Sequence, residues 1–157
     1  MRNAVTEREI TCLSKQGFSD NGEFVQLSWA VRFTPLVSIT IIAVGLVTHS
    51  PWALWGMTFV ALLGMLFPRG MPVDVLWNFA GRVLALPLLP ATPTPRRFSY
   101  AISAVLLAVS GLCFWLGYPV VGWVTGGLVV AGGFVLAATL FCFGSWIYWN
   151  CTTLLKR

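Results

Sequence analysis

Two long stretches of the chain carry no charged side chain: residues 33–68 and 98–155 contain no Asp, Glu, Lys or Arg. A membrane-spanning helix needs about 20 predominantly apolar residues, so each stretch is long enough for two. Proline and glycine punctuate both. His49-Ser50-Pro51 divides the first into predicted spans at 33–48 and 52–67, and Pro68-Arg69-Gly70 stops the second of them. Pro35 is expected in the first turn of its helix, where a missing amide donor costs least. Gly117-Tyr118-Pro119 divides the other stretch into spans at 98–116 and 120–143. The apolar pattern then continues to Trp149. A helix from Val120 to that point would be about 45 Å long, against a hydrocarbon core of about 30 Å. Its last turns must tilt, break at Gly144 or project among the headgroups.

Between the two pairs the pattern changes. Over 73–86, Asp74, Asn78 and Arg82 form one stripe, and Val75, Leu76, Phe79, Val83 and Leu86 lie opposite. That is the pattern of an amphipathic helix lying in the membrane interface with its polar stripe in water. Pro87, Pro90, Pro93 and Pro95 then predict an extended linker over 87–97, with Arg96 and Arg97 on the membrane surface. The expected fold is all-α: a polytopic membrane protein with four transmembrane helices, arranged as two hairpins joined by a cytoplasmic linker. Residues 1–32 form a cytoplasmic tail and 33–157 the transmembrane domain.

Composition supports lipid as the solvent. The chain is 57 % hydrophobic and 10 % charged, where a soluble domain carries about 25 % charged residues; its mean hydropathy is +0.81. All ten Lys and Arg lie in the N-terminal tail (Arg2, Arg8, Lys15, Arg32), the linker (Arg69, Arg82, Arg96, Arg97) or the C-terminus (Lys156, Arg157). The hairpin turns have none. The positive-inside rule therefore places both ends and the linker in the cytoplasm. The net charge of +5 reads as this topology signal, and no nucleic-acid partner is expected. Trp146, Tyr148 and Trp149 suit one interface, and Trp52, Trp55, Trp115, Tyr118 and Trp123 the other. The polar, mixed-charge N-terminus and the absence of a small-x-small cleavage pattern after the first span read as a retained anchor.

Small residues mark contact faces between helices in lipid. Ala104, Ala108 and Gly111 on the third span are expected to meet Gly122, Gly126, Gly133 and Ala137 on the fourth. The rival arrangement has Gly122-x-x-x-Gly126 pairing two copies of the chain.

Candidate chemistry rests on cysteine. Cys113 reads as a packing residue of the third span. Cys142, Cys151 and Cys12 are all expected near the cytoplasmic side and are candidate redox thiols. There is no Cys-x-x-Cys, however, and the single histidine, His49, is predicted on the other side of the membrane. No ionisable group lies inside a predicted span, so proton relays and charged-substrate paths lack their usual residues. No metal-ligand spacing, phosphate loop or serine triad is present, and no cofactor is assigned.

The run Phe141-Cys142-Phe143-Gly144-Ser145 brings in a resemblance. With Arg32-Phe33 at the entry to the first span, Phe67-Pro68-Arg69 at the exit of the second and Pro95-Arg96-Arg97-Phe98 before the third, the chain resembles the DUF4395 family of small four-helix bacterial membrane proteins. The likeness covers about Arg32 to Tyr148, and it implies a place in the inner membrane. Family members typically carry a second cysteine three residues after the first; Ser145 stands there in this chain. The resemblance implies an occasional neighbourhood with thioredoxin-like and sulfurtransferase proteins and no established activity.

The leading expectation is a non-enzymatic membrane protein, an accessory or scaffold subunit or a homo-oligomer, whose partners are the bilayer and other membrane subunits or itself. The first alternative is a thiol-linked protein of sulfur or redox metabolism using Cys142 with Cys151 or Cys12. The second is a carrier of small neutral molecules.

Overall fold

The helices begin and end where proline chemistry and side-chain caps allow, and that shifts several boundaries from the hydropathy pattern. The computed structural model describes residues 11–14, 16–18, 24–67, 71–84, 88–89 and 91–155, and all regular structure among them is helical. After α1 (residues 11–14) come α2 (Phe24–Val47), α3 (Pro51–Leu66), α4 (Pro72–Leu84), α5 (Thr94–Trp115), α6 (Pro119–Thr139) and α7 (Phe143–Leu155). The Pro68-Arg69-Gly70 stop, Leu86, Pro87, Pro90, Arg2, Arg8, Lys15, Lys156 and Arg157 lie outside the described residues. By length and composition α5 and α6 can each cross a membrane; the apolar segments Val31–Val47 and Pro51–Leu66 are shorter.

Three expectations need correction. First, α2 starts at Phe24, so Pro35 sits inside it and not in its first turn. Second, α5 starts at Thr94, with Pro95 among its first helical residues. A proline is tolerated there because the first amides of a helix have no internal acceptor. Arg96 and Arg97 therefore belong to the opening turn of α5 and not to an extended linker. Third, the fourth apolar run breaks at Leu140, whose φ of 57° is left-handed, and not at Gly144. There the Cβ crowds the following carbonyl oxygen, at a cost of about 1–2 kcal/mol, so neighbouring contacts must hold it.

α3 packs chiefly on α5, and α2 on α6, so the two helical hairpins lie against each other. α5 also meets α6 and α7. α5 and α6 pack as expected, and Gly122 and Gly126 both meet α5, but several of the named glycines also or instead face other helices. A side chain on Gly111 would strike Trp55 of α3, its Cβ 2.5 Å from the indole nitrogen. One on Gly126 would lie 2.5 Å from Leu46 of α2 and 2.9 Å from the Ser110 hydroxyl, and one on Gly133 would strike Ile39 of α2. Of these four, Gly122 meets α5 alone, through Phe114. One residue turns a helix by about 100°. Ser110, next to Gly111, accordingly faces α6 and donates to the Gly122 carbonyl at 2.7 Å. Ala104 is buried and Ala108 partly so.

The bundle has two dissimilar ends. At one, the turns after α2 and α5 meet. Trp52, Trp55 and Trp115 contact one another with ring centroids 5.4–6.0 Å apart. The Trp123 indole donates to His49 Nε2 at 3.1 Å, and the imidazole stacks on Phe114. The other end gathers α1, α4, the start of α5 and the α6–α7 break. There the Arg97 guanidinium donates to the Met65 and Leu66 carbonyls at 2.7 and 2.9 Å. It satisfies the orphan acceptors of the α3 C-terminus with a favourably placed cation.

Candidate functional site

Cys142 stands at the start of α7, where its carbonyl accepts the Trp146 amide at 3.0 Å. Two features of the fold deliver it there. The left-handed turn at Leu140 redirects the chain, and Gly144 lets α7 press onto α5. A Cβ at Gly144 would lie 2.7 Å from the Ser99 Cα. This close approach brings the Ser99 hydroxyl and the Cys142 sulfur to 2.9 Å, and Cys142 is 8 % exposed.

The turn is held from the N-terminal side. Leu140, fully buried, packs in a cluster with Leu13, Phe18, Val31 and Leu89. Gln16 donates through Nε2 to the Leu140 carbonyl at 2.6 Å. The α1 segment thus caps a carbonyl that the helix break leaves open. Gly17 can follow this path because its φ is +93°, a conformation that a side chain disfavours.

Behind the sulfur lies a buried charge. Arg96 is 3 % exposed, with Asp74, Tyr100 and Cys142 all within its electrostatic reach. Its guanidinium carbon sits 5.8 Å from the centroid of the Phe18 ring and 6.0 Å from that of Tyr100, distances at which aromatic faces attract a cation. Asp74, 9 % exposed, accepts a hydrogen bond from the Thr34 hydroxyl of α2.

The polar stripe of α4 is therefore not a water-facing one. Asp74 turns into the protein. Asn78 exchanges two hydrogen bonds with the Leu89 backbone, at 2.7 and 3.2 Å, while Arg82 is exposed. It is Val75, Leu76, Phe79 and Val83 that face outward. The amphipathic pattern was legible; its direction followed from contacts that the pattern does not encode.

A cleft of about 620 Å³ opens over Cys142. Thr11, Cys12, Gln16, Cys142, Ser145, Asn150 and Thr153 line it with polar groups and thiols, and Phe141, Trp146 and Trp149 form its aromatic walls. Of the candidate thiols, the structure brings Cys12 and Cys142 to this one cleft. Cys151 is exposed on α7 and does not line it, and Cys113 lies near the far end of α5. Two buried oxygens of the lining, Gln16 Oε1 and Ser145 Oγ, have no hydrogen-bond partner, nor does Arg96 Nε behind them. Leaving a buried donor or acceptor unpaired costs about 1–3 kcal/mol. Among the described residues no three His, Cys, Asp or Glu side chains converge as a metal site requires.

Residues 28–152 match the model of a family described as a domain of unknown function, DUF4395. The chain belongs to the DUF4395 family. No curated protein and no solved structure matches it. In this DUF4395 chain the position three residues beyond Cys142, Ser145, is 2 % exposed and shares the cleft.

Sequence reasoning missed Gln16, Ser99 and Arg96. For Arg96 a signal existed, since Pro95 at a helix start moves the following arginines into the first turn. Gln16 and Ser99 carried none, because only folding brings residue 16 to residue 140.

Proposed function

We propose that this chain is a bacterial inner-membrane protein that crosses the bilayer four times, with both ends and the linker cytoplasmic, and that it acts by thiol–disulfide exchange at Cys142. Four apolar segments and the confinement of all ten basic residues to the tails and linker support the topology. So does the outward apolar surface, which includes Val44, Phe59, Val105, Val124, Leu128 and Phe134. The α4 helix then lies in the interface with Val75, Leu76, Phe79 and Val83 against acyl chains and Arg82 reaching toward water. Its apolar side faces lipid while its polar side faces the protein. At 16 residues, α3 is about 24 Å long and crosses with little tilt or with local thinning of the bilayer.

The observation that carries the thiol reading is the shared cleft of Cys12 and Cys142. Cys142 acts as nucleophile. Its thiolate attacks one sulfur of a substrate disulfide, forming a mixed disulfide and expelling the other half as a thiolate. The Cys12 thiolate then attacks Cys142 and releases the second half. The substrate gains two electrons, the two protein thiols become one disulfide, and their protons pass to water. A cytoplasmic dithiol reductant resets the pair. Arg96 stabilises negative charge as it develops on sulfur.

Topology and chemistry are tested together. In intact cells a membrane-impermeant maleimide should label G117C and leave Cys151 unlabelled. In membranes, an intramolecular disulfide should form under mild oxidation and be absent in C12S and in C142S. Labelling of Cys151 from outside would overturn the topology, and an unchanged redox pattern in C142S would overturn the exchange reading.

A second reading, the accessory or scaffold subunit, draws on α6. A side chain at Gly127 or Gly132 would meet nothing within 4 Å, which leaves a small-residue surface suited to another helix. Co-purification of a partner or a homo-oligomer in mild detergent supports it; a monodisperse monomer sinks it.

A further inference from the structure

We propose that Ser99 is a catalytic residue of the exchange reaction: its hydroxyl donates to the Cys142 thiolate and steadies that sulfur for attack. This rests on the thiol reading and adds to it the group that stabilises the nucleophile.

Burial creates the need. A thiol attacks only as the thiolate, and removal from water disfavours the charged form. Cys142 is 8 % exposed, so a group inside the protein must stand in for the water that an open thiolate would have. Arg96 contributes positive charge, but Asp74 lies within its reach as well. Ser99 makes the direct contact, with Oγ 2.9 Å from Sγ. The serine follows Arg96 by three residues on α5, so the two side chains share one face of the helix.

The direction of the bond follows from the proton. In the thiol state either atom can donate. Once the sulfur is ionised it has no proton, and the serine must be the donor. Hydrogen bonds to an ionised partner are about twice as strong as neutral ones, so the contact favours the thiolate over the thiol.

The backbone makes room for this hydroxyl. A Cβ at Gly144 would run into Ser99 Oγ, which means that the hydroxyl occupies space any side chain there would need. Glycine two residues beyond the cysteine therefore keeps open the place from which the serine reaches the sulfur.

The step balances with the groups already named. Cys142 gives its proton to water, and Ser99 keeps its own throughout, as a donor and not as an acid. The thiolate bonds to the near sulfur of the substrate. The substrate S–S bond breaks, and its electron pair leaves on the far sulfur, which takes a proton from water.

The test uses the full-length chain in lipid nanodiscs carrying C12S, C113S and C151S, so that Cys142 is the one thiol left of four. C12S also halts the reaction at the mixed disulfide, and intact mass then reads the first step alone. Hydroxyethyl disulfide is the probe, and its rate is followed from neutral to alkaline pH with and without S99A. That change deletes one oxygen and favours the helix, so the fold is kept. In neutral buffer S99A should slow the attack about fivefold, because less of the sulfur is ionised. At about pH 11, well above the ordinary thiol range, the order should reverse, because a thiolate without a donor is the stronger nucleophile. A change in access alone would move both limbs of the profile in the same direction. Profiles that superimpose, run parallel or cross in the opposite sense overturn the role of Ser99 and leave the exchange reading standing. Failure of Cys142 to react at any pH in either protein overturns both.

Discussion

The two ends of the bundle are built on opposite principles. At the turn end the buried Ser110 hydroxyl donates to the Gly122 carbonyl, the Trp123 indole finds His49, and the tryptophan rings contact one another. At the cysteine end the chain buries an arginine, an aspartate, a glutamine and a serine hydroxyl, and leaves some of their atoms unpaired. A buried polar group without a partner costs stability wherever it occurs. The turn end avoids that cost and serves to hold helices together. The cysteine end accepts it. Among the described residues each end holds one non-glycine left-handed residue, His49 at the turns and Leu140 here, but only at the cysteine end does it fall in the same few residues that place the sulfur. Unusual backbone and unsatisfied polar groups coincide at functional sites more than elsewhere. Here they coincide at Leu140–Ser145.

That contrast is breakable. The largest effect is expected from R96M at the cysteine end. It removes a buried guanidinium packed on the Phe18 and Tyr100 rings and leaves buried Asp74 as an uncompensated charge, at a cost of about 3 kcal/mol. Thermal unfolding in detergent should show a large drop, and a variant as stable as wild type would mean that the charge is not structurally coupled.

Next comes G144V, which sets a branched side chain 2.7 Å from the Ser99 Cα. Overpacking of this kind costs about 1–3 kcal/mol, and the separation of α7 from α5 should also make Cys142 react faster with a maleimide. The matched control is G56A, where a Cβ meets open space and helix propensity favours alanine by about 1 kcal/mol. If both changes lowered stability alike, the close approach at Ser99 would have no special weight.

The third, N78A, deletes both hydrogen bonds to the Leu89 backbone. A loss of about 1–2 kcal/mol is expected, and proteolysis of the linker should speed up. Unchanged cleavage would detach Asn78 from the linker.

The smallest effect belongs to the turn end. W123F removes one exposed hydrogen bond, worth about 0.5 kcal/mol at the low end of such bonds, and should barely move the unfolding midpoint. A loss as large as that of R96M would erase the contrast between the ends.

The helical class, the places of the hairpin turns and the concentration of basic residues away from those turns were legible in the sequence. Each depends only on local composition, on proline and glycine at a turn, or on runs of uncharged residues. The hydrocarbon preference of a segment and the backbone limits of proline act within a few residues, so a linear reading captures them. The inward direction of Asp74, the burial of Arg96, the break at Leu140 and the cleft shared by Cys12 and Cys142 were not legible. They were decided by tertiary contacts across long sequence separations, such as Gln16 with Leu140 and Thr34 with Asp74. No local preference of either partner encodes the other. An amphipathic helix presents the same pattern whether its polar side meets water or a neighbouring helix, and only packing chooses between them.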